Sequence, residues 1–384
     1  MISYIERMKY RAYGFAMGDR DVKSTIWVNK RNLREAQAHE VDLPALLDGA
    51  VRTRIESFSV TANNITYAVI GDMFDYWNFF PPLQNENAGD YGVVPMWGHA
   101  VVEESRHADI APGERVYGYL PMGTHLDVLP GKVSPGGFTD MAAHRQPMST
   151  IYNQYSRLAA DPEHDPAKEA ERMLFGPLFK TGFLIEAMFR REAWFSAQNL
   201  IMTSASSKTS MGLASVAKDL SPAVKRTGLT SAGNIKFVAS TGLYDEVLAY
   251  EDVGKLPLID SVSVDFAGNS GLLRSIHKKL GEHLKYSCLV GATHVDARGF
   301  GGGGDLPGPK PILFFAPDHA VATVQELGPK GFGEAVGASW KNFLGAVDGV
   351  VAIDERHGLD AAADAFVETL EGRADPQVGI IIRP

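Results

Sequence analysis

The chain has 384 residues, of which 45% are hydrophobic and 22% charged, the balance of a globular protein large enough for two domains. Its net charge of −9 disfavours a general nucleic-acid binder, because phosphate neutralisation needs basic clusters. No apolar run approaches the roughly 20 residues that cross a bilayer, and the first residues do not form a secretory signal. The single cysteine, Cys288, excludes an internal disulfide. We therefore expect a cytoplasmic protein without a membrane or nucleic-acid partner.

The first 150 residues are predicted to be mainly β. Strand-like segments lie at 24–28, 52–60, 93–102 and 114–120. Two more, at 349–353 and 378–382, flank a predicted helix at 360–370, and they fit this β-rich part better than a parallel sheet. We expect a β-rich domain of residues 1–177 that is completed by residues 348–384. The aromatic stretch 74–82 is interpreted as a pocket wall, built by Phe74, Tyr76, Trp77 and Phe79.

The stretch 199–220 has the layout of a nucleotide site. A short buried strand at 200–202 is followed by a turn of hydroxyl residues at 204–210 and by a predicted helix at 211–220. A helix N-terminus directs free N–H groups at phosphate, which is why this order suits a dinucleotide. The alternative is an ordinary helix capped by a hydroxyl residue.

Further strand-like runs follow at 227–231, 246–250, 262–267, 287–293 and 311–316, separated by segments that can form helices. This alternation predicts a doubly wound parallel sheet, the Rossmann domain, over residues 178–347. Ligands of such sheets bind beyond the carboxyl ends of the strands. The predicted cofactor-binding residues at that edge are Ser206, Ser207, Lys208, Thr209, Ser210, Met211, Thr230, Ser231, Asn234, Ala267, Gly268, Gly291, Ala292 and Phe315.

Short motifs along nearly the whole chain match one superfamily. They are APGERV at 111–116, WGHA at 97–100, FKTG at 179–182, MGLA at 211–214 and the closing segment 369–379. In these motifs the chain resembles the medium-chain dehydrogenase/reductase superfamily, the zinc-independent quinone and enoyl reductases in particular, as a divergent branch of uncharacterised members.

The resemblance implies a GroES-like β-rich domain beside the Rossmann domain. It also implies an NADPH cofactor with Thr181 beside the nicotinamide, and a homodimer paired through the sixth strand near 312–315.

The phosphate turn departs from this superfamily. Thr209 and Ser210 stand where paired glycines are usual, with Lys208 before them. Bulkier residues can weaken or redirect cofactor binding, whereas hydroxyls and an ammonium can bond phosphate directly. After the second strand no acidic residue is present to hold a ribose 2′-hydroxyl, and Thr230, Ser231 and Asn234 suit a 2′-phosphate. NADPH is therefore preferred over NADH, with a simple capped helix as the alternative.

No metal is expected, because a catalytic zinc needs a Cys/His/Glu set and Ala100 follows His99 where zinc enzymes carry glutamate. We interpret His99 as a satisfied structural histidine. Hydride addition to a conjugated carbonyl leaves an enolate, which needs an oxyanion donor and then a proton. The predicted catalytic residues are Tyr67, Asn64 and His294, although Tyr67 could instead be a packed aromatic and His294 a loop histidine.

The predicted function is NADPH-dependent reduction of an activated C=C or C=O in a small, moderately apolar substrate. Neither Tyr-x-x-x-Lys nor Gly-x-Ser-x-Gly occurs in the sequence, which disfavours a short-chain reductase and a serine hydrolase. Two alternatives stay open: a non-redox lyase or hydrolase on a repurposed reductase fold, and a non-catalytic sensor that binds NADPH.

Overall fold

The computed structural model describes residues 23–82, 88–266, 268–291 and 306–384. In its first half one helix, α1 (Ala62–Val69), follows the third strand. The strands of this half are β1 (Ser24–Asn29), β2 (Ala36–Glu40), β3 (Val51–Val60), β4 (Tyr91–Gly92), β5 (Pro95–Ser105), β6 (Arg115–Pro121), β7 (His125–Val128), β8 (Pro130–Ser134), β9 (Gly137–Asp140) and β10 (Gln154–Arg157).

The second half alternates strands and helices. Its helices are α2 (Glu169–Arg191), α3 (Lys208–Leu220), α4 (Ile235–Ser240), α5 (Ser270–Leu280), α6 (Ala316–Val347) and α7 (Leu359–Leu370). Its strands are β11 (Asn199–Met202), β12 (Lys225–Thr230), β13 (Glu246–Ala249), β14 (Ser261–Asp265), β15 (Leu284–Leu289), β16 (Ile312–Leu313), β17 (Ala352–His357) and β18 (Val378–Arg383). Among the described residues no helix combines the length and apolarity that crossing a membrane requires.

A six-stranded parallel sheet has the order β13-β12-β11-β14-β15-β16. This is the strand order of a doubly wound dinucleotide fold, and the order reverses beside β11. All six predicted strands are present. The inner strands β11, β12, β14 and β15 are largely buried between helices on both faces, whereas the edge strand β16 is exposed. The predicted fold class, a Rossmann sheet with a β-rich GroES-like part, is confirmed.

The last strand of the chain joins the sheet of the first half. Here β18 lies between β3 and β17 in a nine-stranded sheet of order β17-β18-β3-β5-β6-β10-β9-β8, in which β7 also pairs with β3. A separate three-stranded sheet has the order β2-β1-β4. Packing of α7 against β18, β3 and β1 places the segment that follows α7 close to the β1–β2 connection.

Helix α2 belongs to both halves of the molecule. Near its start, the Ser59 hydroxyl of β3 donates to the Met173 carbonyl at 2.8 Å. Further along it crosses α3 so closely that a Cβ on Gly182 would lie 2.5 Å from the backbone nitrogen of Leu213. The two predicted domains therefore share a continuous helix, and the predicted boundary at 177/178 falls inside it. This crossing places Phe179 and Gly182 of α2 directly against Gly212 and Leu213 of α3.

Candidate functional site

A cavity of about 930 Å³ lies at the carboxyl ends of β11 and β12. We call it the serine-rich cavity, after Ser204, Ser206, Ser207 and Ser231 in its wall. The opposite wall comes from the β-rich part, through the β1–β2 connection and the segment after α7. The predicted edge of the parallel sheet is therefore covered by the other half of the chain, which leaves a crevice between the two.

The hydroxyl turn shapes one wall of this cavity. Ser204 has a left-handed φ of +46°, and its carbonyl accepts the backbone N–H of Ser207 at 2.7 Å. The Ser207 hydroxyl then caps α3 by accepting the Ser210 N–H at 3.3 Å. Lys208 and Thr209, the first residues of α3, line the cavity. Free N–H groups and the positive end of a 13-residue helix therefore face it, which favours an anion.

Lys208 is the cation closest to this helix start. Its amine donates to the Val378 carbonyl at 3.5 Å. Burial lowers the pKa of Lys208 to about 8, and the nearby Asp375 carboxylate opposes that shift. A buried ammonium with one weak carbonyl partner is stabilised when an anion binds beside it.

Two of the predicted phosphate residues lie in the core and not in the cavity wall. The hydroxyl of Ser210, which is fully buried, pairs with the Tyr244 hydroxyl at 2.9 Å, and Met211 is also fully buried. Positions 210 and 211 lie on a buried face of α3. Direct contact of these two side chains with a ligand in the cavity is not supported by the structure.

At the end of β12, Ser231 and Asn234 line the serine-rich cavity, whereas Thr230 is fully buried. The Thr230 hydroxyl has no hydrogen-bond partner in the described part of the chain. Arg31 and Arg34, from the β1–β2 connection, line the same cavity. The sequence interpretation missed both arginines, because no local pattern connects them to a strand that lies about 200 residues further along the chain.

A second cavity, of about 310 Å³, lies between α1, α2 and the start of α6. We call it the aromatic cavity, because its wall includes the rings of Tyr67, Phe74, Tyr76, Trp97, Tyr152 and Phe315. Thr181 of α2 also lines it. Asn63 lines both cavities, so the two spaces approach each other at this residue.

Tyr67 has the most distinctive environment in the aromatic cavity. Its hydroxyl accepts hydrogen bonds from Asn63 Nδ2 at 2.7 Å and from Trp97 Nε1 at 3.2 Å. These two bonds occupy the lone pairs of the phenolic oxygen and leave its own proton to donate elsewhere. Burial raises the pKa of Tyr67 well above that of a free tyrosine, so the hydroxyl is neutral near pH 7. It is therefore arranged as a donor.

Asn64, predicted as a catalytic residue, uses both ends of its amide in hydrogen bonds to the protein backbone. Its Oδ1 accepts the backbone N–H of Thr61 at 2.7 Å, and its Nδ2 donates to the Pro95 carbonyl at 2.9 Å. It is buried, is the third residue of α1, where it forms a capping box with Thr61, and ties that helix to β5. The adjacent Asn63 is the amide that contacts Tyr67, one helical turn away. The spacing of four residues would have indicated this pairing once the segment was assigned as a helix.

The predicted aromatic wall is only partly correct. Phe74 and Tyr76 line the aromatic cavity, whereas Trp77 and Phe79 are buried behind it. Phe74 stacks on Phe315 with ring centroids 5.2 Å apart and an interplanar angle of 22°. Phe315, predicted as a cofactor residue, therefore contributes to the aromatic cavity from the Rossmann side.

The remaining predicted residues lie at the ends of β14 and β15. Gly268 has a φ of +69° and its N–H donates to Asp265 Oδ1 at 3.3 Å. At Gly291 a Cβ would lie 1.8 Å from the Phe266 carbonyl oxygen, so the close turn requires glycine. Both glycines shape turns beside the cavities. Three predicted residues lie outside the described part of the chain: Ala267, Ala292 and His294.

His99 differs from the satisfied structural histidine that was expected. It is fully buried on β5, and neither ring nitrogen has a hydrogen-bond partner within the described residues. Burial lowers the pKa of His99 to about 3, so the ring is neutral. Within the same residues, no cluster of three or more His, Cys, Asp or Glu side chains is arranged to hold a metal ion.

A family model described as "Protein of unknown function (DUF2855)" matches residues 58–375. No curated protein matches the chain.

Among solved structures, the chain is similar to CurA from Vibrio vulnificus in complex with NADPH, with a TM-score of 0.59 and 15% identity over 94% of this chain and 98% of that chain. It is similar to mycobacterial Rv1454c complexed with NADPH, with a TM-score of 0.53 and 13% identity over 94% and 100% of the two chains. It is also similar to the human synaptic vesicle membrane protein VAT-1 homolog-like protein, with a TM-score of 0.50 and 12% identity over 94% and 98%. At these identities the likeness establishes the fold, as the superfamily resemblance predicted.

Proposed function

The chain belongs to the DUF2855 family, and we propose that it is an NADPH-dependent, zinc-independent reductase that acts on an activated C=C or C=O of a small, moderately apolar substrate. The observation that carries this proposal is the position of Tyr67. Its hydroxyl, with both lone pairs occupied by Asn63 and Trp97, lines an aromatic cavity that approaches an anion-binding crevice at Asn63. A neutral donor beside a cofactor crevice suits a reaction that develops negative charge on oxygen.

The serine-rich cavity fits a dinucleotide diphosphate. The first turn of α3 offers backbone N–H groups, the Ser206, Ser207 and Thr209 hydroxyls lie in the wall, and the Lys208 ammonium lies beside them. Glycines are absent from the turn, but the same positions supply donors that glycines lack. CurA and the mycobacterial protein, which share the fold, were crystallised with NADPH. These observations support NADPH as the cofactor.

The residues at the far end of β12 favour a 2′-phosphate. Ser231 and Asn234 line the cavity without an acidic residue between them, and Arg31 and Arg34, which are ion-paired with Asp90 and Glu371, line the opposite wall. A carboxylate at this point would hold a ribose 2′-hydroxyl and repel a phosphate. The nicotinamide end would lie toward Asn63 and Thr181, and NADPH bound there supplies the hydride.

Tyr67 would act in two steps on the substrate. First, its O–H donates a hydrogen bond to the carbonyl oxygen and stabilises the enolate or alkoxide that forms there. Second, it transfers its proton to the reduced substrate. The N–H groups of Asn63 and Trp97 then stabilise the phenolate, which recovers a proton from solvent. The hydrogen bonds from Asn63 and Trp97 therefore orient the Tyr67 O–H and also stabilise the phenolate that remains after proton transfer.

The first experiment is a titration of the purified chain with NADPH and with NADH, followed by tryptophan fluorescence and melting temperature. A larger stabilisation by NADPH supports the 2′-phosphate assignment, and consumption of NADPH with an enone supports the reductase. Tight binding without turnover of any enone or quinone would favour a sensor instead. The absence of any response up to about a millimolar, the weak end of ordinary cofactor affinity, would contradict the proposal.

A homodimer is proposed through β16. Ile312 and Leu313 form the edge of the parallel sheet and are 49% and 37% exposed. An edge strand with exposed apolar residues is a natural surface for pairing with a second copy. Light scattering coupled to size exclusion should give twice the chain mass, and Ile312→Lys should shift it toward the monomer. A monomeric parent chain would contradict this part of the proposal.

A further inference from the structure

Tyr76 and Tyr152 place a pair of hydroxyls in the wall of the aromatic cavity, separate from Tyr67. The two oxygens are 3.1 Å apart, and either can be the donor. A pair of hydroxyls has two protons, and only one can lie between the oxygens. Neither hydroxyl makes another hydrogen bond within the described part of the chain. Among the residues that the structure describes, one O–H of the pair therefore has no acceptor at the cavity wall.

The pair is held in place from behind. Arg145, which is 1% exposed, donates its Nη2 to the Tyr152 carbonyl at 2.7 Å. The same guanidinium is fixed by Asp140 at 2.9 Å and by Asn153 at 3.0 Å. The buried Arg145 therefore fixes the backbone of Tyr152 without the help of a ligand. Such preorganisation is typical of a recognition site.

The pair also lies close to the proposed proton donor. The ring centroids of Tyr67 and Tyr76 are 4.6 Å apart, and those of Tyr67 and Tyr152 are 6.3 Å apart. Both hydroxyls are neutral, because burial raises the pKa of Tyr76 and of Tyr152. One small planar molecule could therefore meet two neutral O–H donors on the same wall.

We propose that the Tyr76–Tyr152 hydroxyl pair is a subsite for a second oxygen of the substrate, and that the substrates are conjugated carbonyls with two neutral oxygen acceptors, such as ene-diones. This inference rests on the proposed reductase function. The charged residues in the cavity wall are already ion-paired, Lys180 with Glu163 and Arg172 with Asp161. A charged substrate group would therefore be uncompensated there, and an unpaired O–H requires an acceptor. A neutral carbonyl satisfies both conditions.

The balanced reaction leaves the second oxygen unchanged. One carbon of the C=C receives a hydride from NADPH, which is oxidised to NADP⁺, and the π electrons move toward the carbonyl oxygen at Tyr67. The Tyr67 proton is transferred to the enolate oxygen, and the enol then becomes the saturated dione by gaining a proton from water at the α-carbon and releasing its O–H proton. The Tyr67 phenolate recovers its proton from solvent, so the net reaction consumes one hydride and one proton. No charge develops on the oxygen at the hydroxyl pair. The subsite should therefore affect KM more than kcat.

The geometry predicts that the double Tyr→Phe variant loses more substrate affinity than either single variant. Either single change, Tyr76→Phe or Tyr152→Phe, removes one hydroxyl but leaves the other with a free O–H. Only the double variant removes the last donor. Because both partners of one hydrogen bond are replaced by rings of the same shape, the double variant should fold normally.

The test compares cyclohex-2-ene-1,4-dione with cyclohex-2-en-1-one, which lacks the second oxygen. The double variant should raise KM about tenfold for the dione, the effect of one lost hydrogen bond, and much less for the enone. Each single variant should have a smaller effect than the double. Tyr117→Phe, another tyrosine of the same cavity, is the matched control and should change both substrates alike. Equal changes for the two substrates in the double variant would overturn the subsite.

A binding measurement separates this inference from the reductase proposal. Cyclohexane-1,4-dione and cyclohexanone cannot be reduced at a C=C. Their binding to the NADPH-treated chain can be followed by tryptophan fluorescence, because Trp97 and Trp340 lie in the cavity wall. The parent chain should bind the dione more tightly, and the double variant should lose that preference. A retained preference overturns the subsite, whereas a lost preference with no turnover of any substrate overturns only the reductase.

Discussion

Asn63 donates a hydrogen bond from its Nδ2 to the Tyr67 hydroxyl at 2.7 Å, and Asn63 lines both cavities. A single amide therefore connects the space proposed for the cofactor with the side chain proposed as the proton donor. Both residues belong to α1 and are four positions apart, so the helix backbone fixes the relative position of the amide and the hydroxyl. The Trp97 indole, at 3.2 Å from the same hydroxyl, fixes the ring from β5.

Tyr67→Phe tests the role of the hydroxyl directly. The change removes the proposed oxyanion donor and proton source but keeps the ring, so we expect kcat to fall about 100-fold or more, as for loss of a general acid. NADPH affinity should stay within about twofold, because this hydroxyl is not part of the phosphate site. The measurements are NADPH consumption and a fluorescence titration. Full turnover by this variant would show that another group supplies the proton.

Asn63→Ala should lower activity, whereas Asn64→Ala should lower stability. Without Asn63, the Tyr67 hydroxyl loses its shortest bond, and we expect kcat to fall about tenfold with little change in melting temperature. Without Asn64, the bonds to Thr61 and Pro95 are lost inside the protein, which should cost about 1–3 kcal/mol of stability. Denaturant unfolding and steady-state kinetics distinguish the two. A loss of stability at Asn63 and of activity at Asn64 would support the original sequence assignment instead.

The sequence predicted the parallel sheet well, because each of its strands is a local apolar run that needs no distant information. It could not predict Arg31 and Arg34, because these line the crevice only when β1 and β2 pack against α7, more than 300 residues further along the chain. The distinction between Asn63 and Asn64 depends on which face of α1 meets the cavity, which is a matter of packing. The sequence places hydroxyl residues at 204–210, before and at the start of α3, but it does not show which of their side chains are buried.

Gly182→Ala tests the contact that fixes α2 against α3. The added Cβ would lie 2.5 Å from a backbone nitrogen, so the helices must separate. We expect a loss of about 1–3 kcal/mol in unfolding free energy, as for overpacked cores. Gly176→Ala is the matched control on the same helix, since the nearest atom to its Cβ would be 3.6 Å away, an ordinary contact. Equal stabilities for the two variants would mean that the crossing tolerates a wider separation.

Lys208 should make cofactor binding depend on pH. In the empty chain the pKa of Lys208 is lowered to about 8 by burial, below the ordinary lysine value. A bound phosphate favours the ammonium and raises this pKa again. Below pH 8 the side chain is charged before and after binding, so affinity changes little. Above pH 8 binding must take up a proton, and NADPH affinity should fall by up to about tenfold per pH unit.

The lowered pKa of Lys208 has the opposite consequence for folding stability, which increases with pH where NADPH affinity falls. Between pH 8 and the ordinary lysine pKa, the unfolded chain binds more protons at this position than the folded chain. The contribution of Lys208 to stability therefore increases as pH rises through that window. Lys208→Met should weaken NADPH binding at pH 7 and remove the decline above pH 8, whereas Lys208→Arg, which stays charged, should keep the affinity and also lose the decline. A decline that persists in both variants would show that the titrating group is not Lys208.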